Sequence, residues 1–251
     1  MEGLAGKVAL VTGGSRGIGA GIVRVLAAEG VRVAFTYVQA AEQAQLMVRE
    51  IEQKGGTALT LRADTAKAGE VREAVRKVVD EYGQLDILVN NAGVHVTSPI
   101  DEEEPDEAAI QRLWQINTYG TAQTVRAAVP HLPSGGRIIN IGSGSNVRIP
   151  FPGQGEYAAS KGALAAYTRA WAKDLAPRNI TVNVIQPGLI KTDLTPTDPP
   201  VVELLLSSIP LGRFGTTEEV GQLVAFLASP AADYITGATL NMDGGWSVST
   251  A

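Results

Sequence analysis

The sequence contains no cysteine and only two histidines, His95 and His131, among its 251 residues. Without cysteine, the chain forms neither a disulfide framework nor a thiolate metal site. The two histidines stand far apart in the sequence, so we expect no histidine metal site and no bound metal. The net charge of −5 offers no electrostatic reason to bind nucleic acid, which we exclude as a partner.

The chain also lacks the apolar segments that direct proteins to membranes. No apolar run reaches the length that spans a bilayer. The first residues, Met1 to Lys7, contain no basic region followed by an apolar run, so we expect no signal peptide. No linker or charge run divides the sequence. These absences predict one cytoplasmic domain over residues 1–251, with no membrane partner.

What is present is an alternation of short apolar runs with segments of helical periodicity. The apolar runs are of the kind found in buried parallel strands. The alternation predicts an α/β fold, a doubly wound parallel sheet of about seven strands with helices on both faces. The predicted strands are residues 7–11, 31–36, 57–61, 85–89, 137–141, 181–185 and 239–242, and three of the predicted helices are residues 40–54, 107–131 and 217–228.

A glycine-rich turn separates the first strand from the first helix. Gly13, Gly17 and Gly19 stand in the spacing Gly-x-x-x-Gly-x-Gly. Such glycines permit a tight turn, a close approach of the backbone to a pyrophosphate, and packing of the helix on the strand. An ordinary strand-to-helix loop is the alternative. The context of strand, turn and helix favours a dinucleotide site with the phosphates at the helix N terminus.

The residues after the second strand indicate which nucleotide binds. NAD-specific sites place a carboxylate there for the ribose 2′-hydroxyl. Here Tyr37, Val38 and Gln39 follow, and the first carboxylate is Glu42. Arg16 lies in the glycine turn, close to the expected 2′-phosphate, and arginine suits phosphate. These residues predict NADP(H), although Arg16 could instead be a surface residue paired with a carboxylate.

A tyrosine and a lysine four residues apart begin another helical segment. The spacing puts Tyr157 and Lys161 on one helix face. An ammonium next to a phenol lowers the pKa of the phenol and makes it a general acid near neutral pH. Ser143, at the end of the strand 137–141, could hold the oxygen that changes charge. By itself the pair is a weak signal, because tyrosine is often core and lysine often solvated.

The remaining motifs form an ordered set along the chain: Thr12-Gly13-x-x-x-Gly17-Ile18-Gly19, Asp64, Asn90-Asn91-Ala92-Gly93, Asn117, Ser143, Tyr157-x-x-x-Lys161, Pro187-Gly188 and Asp243-Gly244-Gly245. In this order and approximate spacing they resemble the classical short-chain dehydrogenase/reductase family, over essentially the whole length. The general resemblance is to the 3-oxoacyl-(acyl-carrier-protein) reductase-like group. It implies a single-domain Rossmann fold, an NADP(H)-dependent carbonyl reductase and a homotetramer or homodimer.

The resemblance also implies a role for individual residues. Tyr157 would protonate the carbonyl oxygen, Lys161 would bind the ribose and lower the Tyr157 pKa, and Ser143 would orient the carbonyl. Asn117 would hold a water in a proton relay, Asp64 would meet the adenine, and Asn91 the adenosine-side ribose or nearby backbone. Thr192 would contact the carboxamide. The full set of cofactor contacts implied is Gly13, Ser15, Arg16, Gly17, Ile18, Gly19, Tyr37, Asp64, Asn91, Ala92, Gly93, Tyr157, Lys161, Pro187, Gly188, Ile190 and Thr192.

The substrate is less well defined by the sequence. The expected contacts are His95, Ser143, Ser145, Gln154 and Leu189, with a lid within residues 192–213 that includes a proline-rich loop at 195–200. Local packing is the alternative for His95, and Ser145 is the alternative to Ser143. We expect a ketone or other carbonyl as substrate. The alternatives are a sugar or steroid alcohol, or a non-catalytic NADP-binding sensor or regulatory protein.

Overall fold

In a computed structural model, which describes residues 1–193 and 195–249, seven parallel strands form one sheet in the order β3-β2-β1-β4-β5-β6-β7. This confirms the predicted fold class and strand number. Leu194, inside the predicted lid, and Thr250 and Ala251 lie outside the described residues. The strands are β1 Val8–Val11, β2 Arg32–Tyr37, β3 Thr57–Arg62, β4 Ile87–Asn90, β5 Arg137–Ile141, β6 Thr181–Pro187 and β7 Thr239–Met242.

Helices cover both faces of this sheet. On β1, Ala9 and Val11 pack into the core under α1, α2 and α8, whereas Val8 and Leu10 pack into the core under α3, α5 and α6. Alternate side chains of a strand point to opposite faces, so a strand covered on both sides is apolar throughout. The helices are α1 Gly17–Ala28, α2 Ala41–Gln53, α3 Ala68–Tyr82, α4 Glu107–Trp114, α5 Thr121–Ala128, α6 Gly155–Leu175, α7 Pro199–Ser207 and α8 Thr217–Ala228.

The strand order reverses beside β1, which pairs with β2 on one side and β4 on the other. Ligands of such sheets bind at this switch point, outside the carboxyl ends of the strands. The glycine-rich turn follows β1, and the Asn91-Ala92-Gly93 segment follows β4. Ser143 comes two residues after β5. The topology therefore gathers the predicted site at one edge of the sheet.

The predicted helix 107–131 is divided in the structure. A π-helical turn, Gln115–Gly120, separates α4 from α5, and a 3₁₀ turn, Val129–His131, follows α5. The Thr121 hydroxyl donates to the Asn117 carbonyl at 3.0 Å within this stretch. Asn117 lies on the π turn and is completely buried. Insertions of this kind are frequent at functional sites.

The predicted proline-rich loop at residues 195–200 is also corrected. Helix α7 begins at Pro199, so the two prolines form its first turn. Proline is well tolerated there because the first amide groups of a helix make no intrahelical bond and the proline φ suits a helix. The predicted lid region thus contains a helix as well as loops.

Among the helices of residues 1–193 and 195–249, none is both long and apolar enough to cross a bilayer.

Two glycines allow helices α1 and α8 to pack closely. A β carbon added to Gly221 would lie 2.7 Å from the Val25 side chain and 3.0 Å from the Gly21 carbonyl oxygen. We therefore expect Gly221→Ala to lower the free energy of unfolding by about 1–3 kcal/mol through overpacking. Urea unfolding measures this value.

Gly69→Ala, in α3, is the matched control. No atom lies within 4 Å of a β carbon added there. Alanine should stabilise this position by about 0.4–1 kcal/mol because it restricts the unfolded chain. Equal losses of stability in both variants would contradict close packing at Gly221.

Candidate active site

Helix α6 carries the predicted tyrosine and lysine to the carboxyl end of β5. The Lys161 ammonium is buried and donates a hydrogen bond to the Ile141 carbonyl oxygen at 2.9 Å. Because Ile141 is the last residue of β5, this bond ties the helix to the strand that leads to Ser143. Tyr157 lies one helical turn before Lys161, on the same face.

Ser143 faces this tyrosine. Its hydroxyl is hydrogen-bonded to the Tyr157 side chain and also accepts the Ser145 amide N–H at 3.2 Å. The second serine, Ser145, lies in a short 3₁₀ turn, Gly144–Asn146. The structure thus brings Ser143, rather than Ser145, together with Tyr157.

Burial controls the ionisation of both groups. It raises the pKa of Tyr157 above its ordinary value, and the hydrogen bond with Ser143 opposes that rise. Burial also lowers the pKa of Lys161 to about 8. Both shifts favour the neutral form, as expected in a low-dielectric site. Desolvation of the phenol dominates the pKa of Tyr157 in this structure. The lowering of that pKa by Lys161 stays a prediction.

The Asn117 side chain clamps the loop after β4. Its oxygen accepts the Val94 amide N–H, and its amide group donates to the Val94 carbonyl oxygen, each at 2.9 Å. The same amide group donates to the Ser160 hydroxyl at 3.0 Å. Asn117 thereby joins the π turn to the loop and to α6. The water relay expected of it remains a prediction.

The glycine-rich turn has the shape that a dinucleotide phosphate requires. Gly13 has a φ of 65°, which favours glycine, and its amide donates to the Thr36 hydroxyl at 3.0 Å. A β carbon on Gly19 would lie 2.2 Å from the Gly13 carbonyl oxygen. The N-cap residue of α1, Arg16, makes no side-chain cap, and the first turn of the helix contains no acidic residue. Its amide groups and dipole therefore suit an anion.

Asn91 supports this turn from β4. Its side-chain amide donates to the carbonyl oxygens of Thr12, at 3.0 Å, and Gly13, at 2.9 Å. The Thr12 hydroxyl accepts the backbone amides of Asn91 and Ala92 in return. Of the two contacts expected for Asn91, the structure shows the one to nearby backbone.

Asp64 lies at the same edge, two residues after the end of β3. One carboxylate oxygen accepts the Arg112 guanidinium at 2.6 Å, and the other accepts the Ala66 amide at 3.0 Å. Burial would raise the pKa of Asp64, but these two bonds outweigh it and leave the pKa below its ordinary value. Arg112 could not be foreseen from local pattern, because its partner is 48 residues away in the sequence.

The end of β2 carries no carboxylate. Tyr37 is partly buried and lies opposite Arg62 in the parallel register of β2 and β3. Arg62, also missed from the sequence, is exposed and donates to the Val38 carbonyl oxygen at 3.3 Å. Arg16 is exposed at the start of α1, with no ion pair to any residue that the structure describes. This corner is therefore cationic.

The segment after β6 closes the other side of the cleft. A β carbon added to Gly188 would lie 2.6 Å from the Asp243 β carbon. The Pro187-Gly188 turn therefore packs against the Asp243-Gly244-Gly245 segment. Ile190 bridges to Gly215, and Gly215 also donates its amide to the Leu189 carbonyl oxygen at 3.0 Å. The Thr192 methyl group lies 3.8 Å from the position of a β carbon added to Gly17.

Two further predicted cofactor contacts lie in and just after the glycine turn. Ser15 is buried in the turn, and Ile18 packs on the core below it.

Two predicted substrate contacts lie beside Tyr157. The rings of His95 and Tyr157 are 4.6 Å apart between centroids, with 57° between their planes. Gln154 immediately precedes α6, and its buried side-chain oxygen has no hydrogen-bond partner among the described residues. A hydrogen bond between two helices nearby was not foreseen from the sequence. The Trp114 indole N–H donates to the Glu156 carboxylate at 2.6 Å and links α4 to the first turn of α6.

In the part of the chain that the structure describes, no three side chains of histidine, aspartate or glutamate come together as metal ligands would.

Comparison with known families assigns this arrangement to a class. The family model described as enoyl-(acyl carrier protein) reductase matches residues 13–247. This range runs from Gly13 of the glycine turn past Asp243-Gly244-Gly245 and leaves out only Thr12 of the motifs. The chain belongs to the short-chain dehydrogenase/reductase family, and it is an oxidoreductase of the 3-oxoacyl-(acyl-carrier-protein) reductase-like kind.

Individual relatives carry several different names. The cyclic-di-GMP-binding biofilm dispersal mediator protein of Escherichia coli is 42% identical over 97% of this chain and 98% of its own. A 3-oxoacyl-(acyl-carrier-protein) reductase of Staphylococcus aureus is 39% identical over 95% of this chain and 97% of its own. A blue fluorescent protein from a metagenomic library, solved with NADPH, is 45% identical with a TM-score of 0.92, covering 98% of this chain and 99% of its own.

The clamp formed by Asn117 leads to a stability prediction. Asn117→Ala removes the partner of both Val94 backbone groups and of the Ser160 hydroxyl. Leaving buried polar groups unsatisfied costs about 1–3 kcal/mol, and we expect a loss of that size in the free energy of unfolding. Gln115→Ala, an exposed position on the same π turn, is the control and should change little. Equal stability of the two variants in urea unfolding would contradict the clamp.

Proposed function

We propose that this NADP(H)-dependent short-chain dehydrogenase/reductase reduces a ketone to a secondary alcohol, with Tyr157 as the general acid. The observation that carries the proposal is the convergence of three side chains beside the glycine-rich turn. Ser143 is hydrogen-bonded to Tyr157, and the Lys161 ammonium is buried one turn further along the same helix. Such a set has no use in a protein that only binds the nucleotide.

The raised pKa of Tyr157 keeps its phenol protonated at neutral pH, so a proton is available. When bound, NADPH supplies the hydride to the carbonyl carbon. The Tyr157 hydroxyl gives its proton to the carbonyl oxygen, which becomes the alcohol, and Ser143 donates a hydrogen bond to the same oxygen. Lys161, whose pKa is about 8, is mostly charged at pH 7 and stabilises the phenolate that remains.

The nucleotide end of the cleft fits NADP(H) on several grounds. The uncapped N terminus of α1 and the close approach of Gly19 to Gly13 suit the pyrophosphate. Arg16 provides the charge for the 2′-phosphate, and Arg62 adds a second cation beside Tyr37. We propose that Asp64 contacts the adenine, and its carboxylate is bound by the Arg112 guanidinium. The other predicted cofactor contacts follow from the family roles.

The surroundings of Tyr157 favour an apolar substrate. Four large apolar residues are exposed to between 40% and 67% of their full area: Ile149 and Phe151 in the loop before α6, and Leu204 and Leu211 within the predicted lid. We propose contacts from His95, Ser143, Gln154 and Leu189, with residues 192–213 as the lid. An apolar rim favours aliphatic and aryl ketones or 3-oxoacyl thioesters over sugars. NADPH oxidation with a panel of these carbonyl compounds, and with sugar and steroid alcohols in the reverse direction, identifies the class.

A binding protein without turnover is the second candidate. It is favoured by one observation, the name of the Escherichia coli relative, which describes binding of cyclic di-GMP. The retained set of Asn117, Ser143, Tyr157 and Lys161 favours the enzyme. Absence of NADPH oxidation across the whole carbonyl panel, with intact NADPH binding, would favour the binding protein instead.

The proposed mechanism predicts a specific loss in Tyr157→Phe. The ring and its packing remain, but the transferable proton is gone. We expect ketone reduction to fall by about 10²–10⁴-fold, the range typical of general acid–base catalysis. NADPH binding, measured by fluorescence titration, should survive. Unchanged turnover in this variant would disprove the mechanism.

The two serines provide a matched pair for this test. Ser143→Ala should reduce turnover with little effect on NADPH affinity, because it removes the hydrogen bond to the reacting oxygen. Ser145→Ala should change little, since only its backbone amide contacts Ser143. If Ser145→Ala were the damaging change, the serine assignment would be wrong.

Coenzyme preference depends on the charge after β2. Tyr37→Asp should move the preference from NADPH toward NADH, because a carboxylate repels the 2′-phosphate and accepts the 2′-hydroxyl. Tyr37→Asn is the control, because asparagine has nearly the same size as aspartate but carries no charge. The ratio of kcat/KM for the two coenzymes measures the effect. The same ratio in both variants would show that charge at this position does not select the nucleotide.

We also propose that the protein forms a homotetramer, which agrees with the long, weakly amphipathic α6. Tyr167 and Trp171 stack on this helix, with centroids 4.6 Å apart and planes within 7° of parallel. Both are only partly buried. Sedimentation equilibrium at micromolar concentration should show four chains, and a species of one chain would refute the proposal. A cytoplasmic location stays a prediction from the sequence.

A further inference from the structure

His95 packs directly against the proposed general acid. Its ring lies 4.6 Å from the Tyr157 ring, tilted by 57°, and its other side is exposed to solvent. The contact joins a titratable ring that is exposed to solvent and the tyrosine proposed to give up its proton. Sequence considerations treated His95 only as a packing residue or a substrate contact.

The backbone around His95 is held in place. Both backbone polar groups of its neighbour Val94 are hydrogen-bonded to the buried Asn117 side chain. Further along the loop, the Ser98 amide donates to the Gly153 carbonyl oxygen at 2.8 Å, just before α6. The loop is thus tied on both sides of His95, and the ring has a defined place over Tyr157.

Between Asn91 and Ile100 the loop of His95 contains no other charged side chain, and the charged residues of α6 on either side of Tyr157 are Glu156 and Lys161. Glu156, beside Tyr157, is bonded to the Trp114 indole. Lys161 donates to the Ile141 carbonyl oxygen. No carboxylate among the described residues pairs with His95. Burial lowers the pKa of His95 and so favours the neutral ring.

We propose that His95 is a positioning residue that acts through Tyr157: when protonated, it places a positive charge over the tyrosine ring and promotes transfer of the phenolic proton to the substrate. The inference rests on the proposed function, in which Tyr157 is the acid. A cation this close favours the phenolate over the phenol, and the phenolate is what remains after the transfer. The proton lost by Tyr157 goes to the carbonyl oxygen, while His95 keeps its own.

The consequence is a pH dependence with a definite direction. As the pH falls through the His95 pKa, kcat/KM for ketone reduction at saturating NADPH should rise by about threefold to tenfold. His95→Phe preserves an aromatic contact with Tyr157 but cannot become charged. Its kcat/KM should stay level through the same pH range. His131→Phe is the matched control, an exposed histidine in the 3₁₀ turn after α5, and should retain the rise.

Nuclear magnetic resonance of the histidine rings supplies a readout independent of turnover. The chain has only two histidines, so the two single variants assign both signals. The midpoint of the His95 titration should lie below that of an ordinary histidine, about 6.5, and should coincide with the inflection in kcat/KM. A rise that persists in His95→Phe, a level profile in the unaltered protein, or a midpoint away from the inflection would each overturn the inference.

Failure of this inference is distinguishable from failure of the proposed function. If Tyr157 is not the acid, Tyr157→Phe keeps its turnover whatever His95 does. If only the role of His95 is wrong, Tyr157→Phe loses turnover, and His95→Phe has the same pH profile as the unaltered protein.

Discussion

The buried side chain of Asn117 connects the parts of the proposed active site. Its three hydrogen bonds reach the loop after β4 and the helix that carries Tyr157 and Lys161. The asparagine itself lies on a π turn, a departure from regular helix that costs hydrogen-bond quality and recurs at functional sites. The loop held in this way contains His95, so the position of that ring over Tyr157 also depends on Asn117.

Desolvation is the dominant electrostatic effect at this site. Burial moves the pKa of Tyr157 upward and that of Lys161 down to about 8, each toward the neutral form. A phenol that stays protonated has a proton to give, and a cation next to it stabilises the phenolate that the transfer leaves. The hydrogen bond with Ser143 counteracts the burial of Tyr157. The site therefore combines a proton held by desolvation with groups that stabilise the charge left behind.

The nucleotide end depends on shape more than on charge. Gly19 packs so closely on the Gly13 carbonyl that no side chain fits, and the Asn91 amide holds the turn from the neighbouring strand. The Arg16 side chain, at the N-cap of α1, does not cap the amides at the start of this helix. Charge enters only at the periphery, where Arg16 and Arg62 flank the end of β2 and Asp64 is bound by Arg112. In the proposed function, recognition of the phosphates therefore falls largely to the backbone.

The sequence by itself determined the fold, because strands buried on both faces need continuous apolar runs and crossover helices need their own periodicity. It also predicted that Tyr157 and Lys161 share one helix face, from their i, i+4 spacing, and that Ser143 follows the strand before that helix. Tertiary structure alone decided the rest: the π turn at Asn117, the start of α7 at Pro199, the Asp64–Arg112 pair and the rise in the Tyr157 pKa. These features come from contacts between residues distant in sequence and from burial, and neither is visible in local pattern or composition.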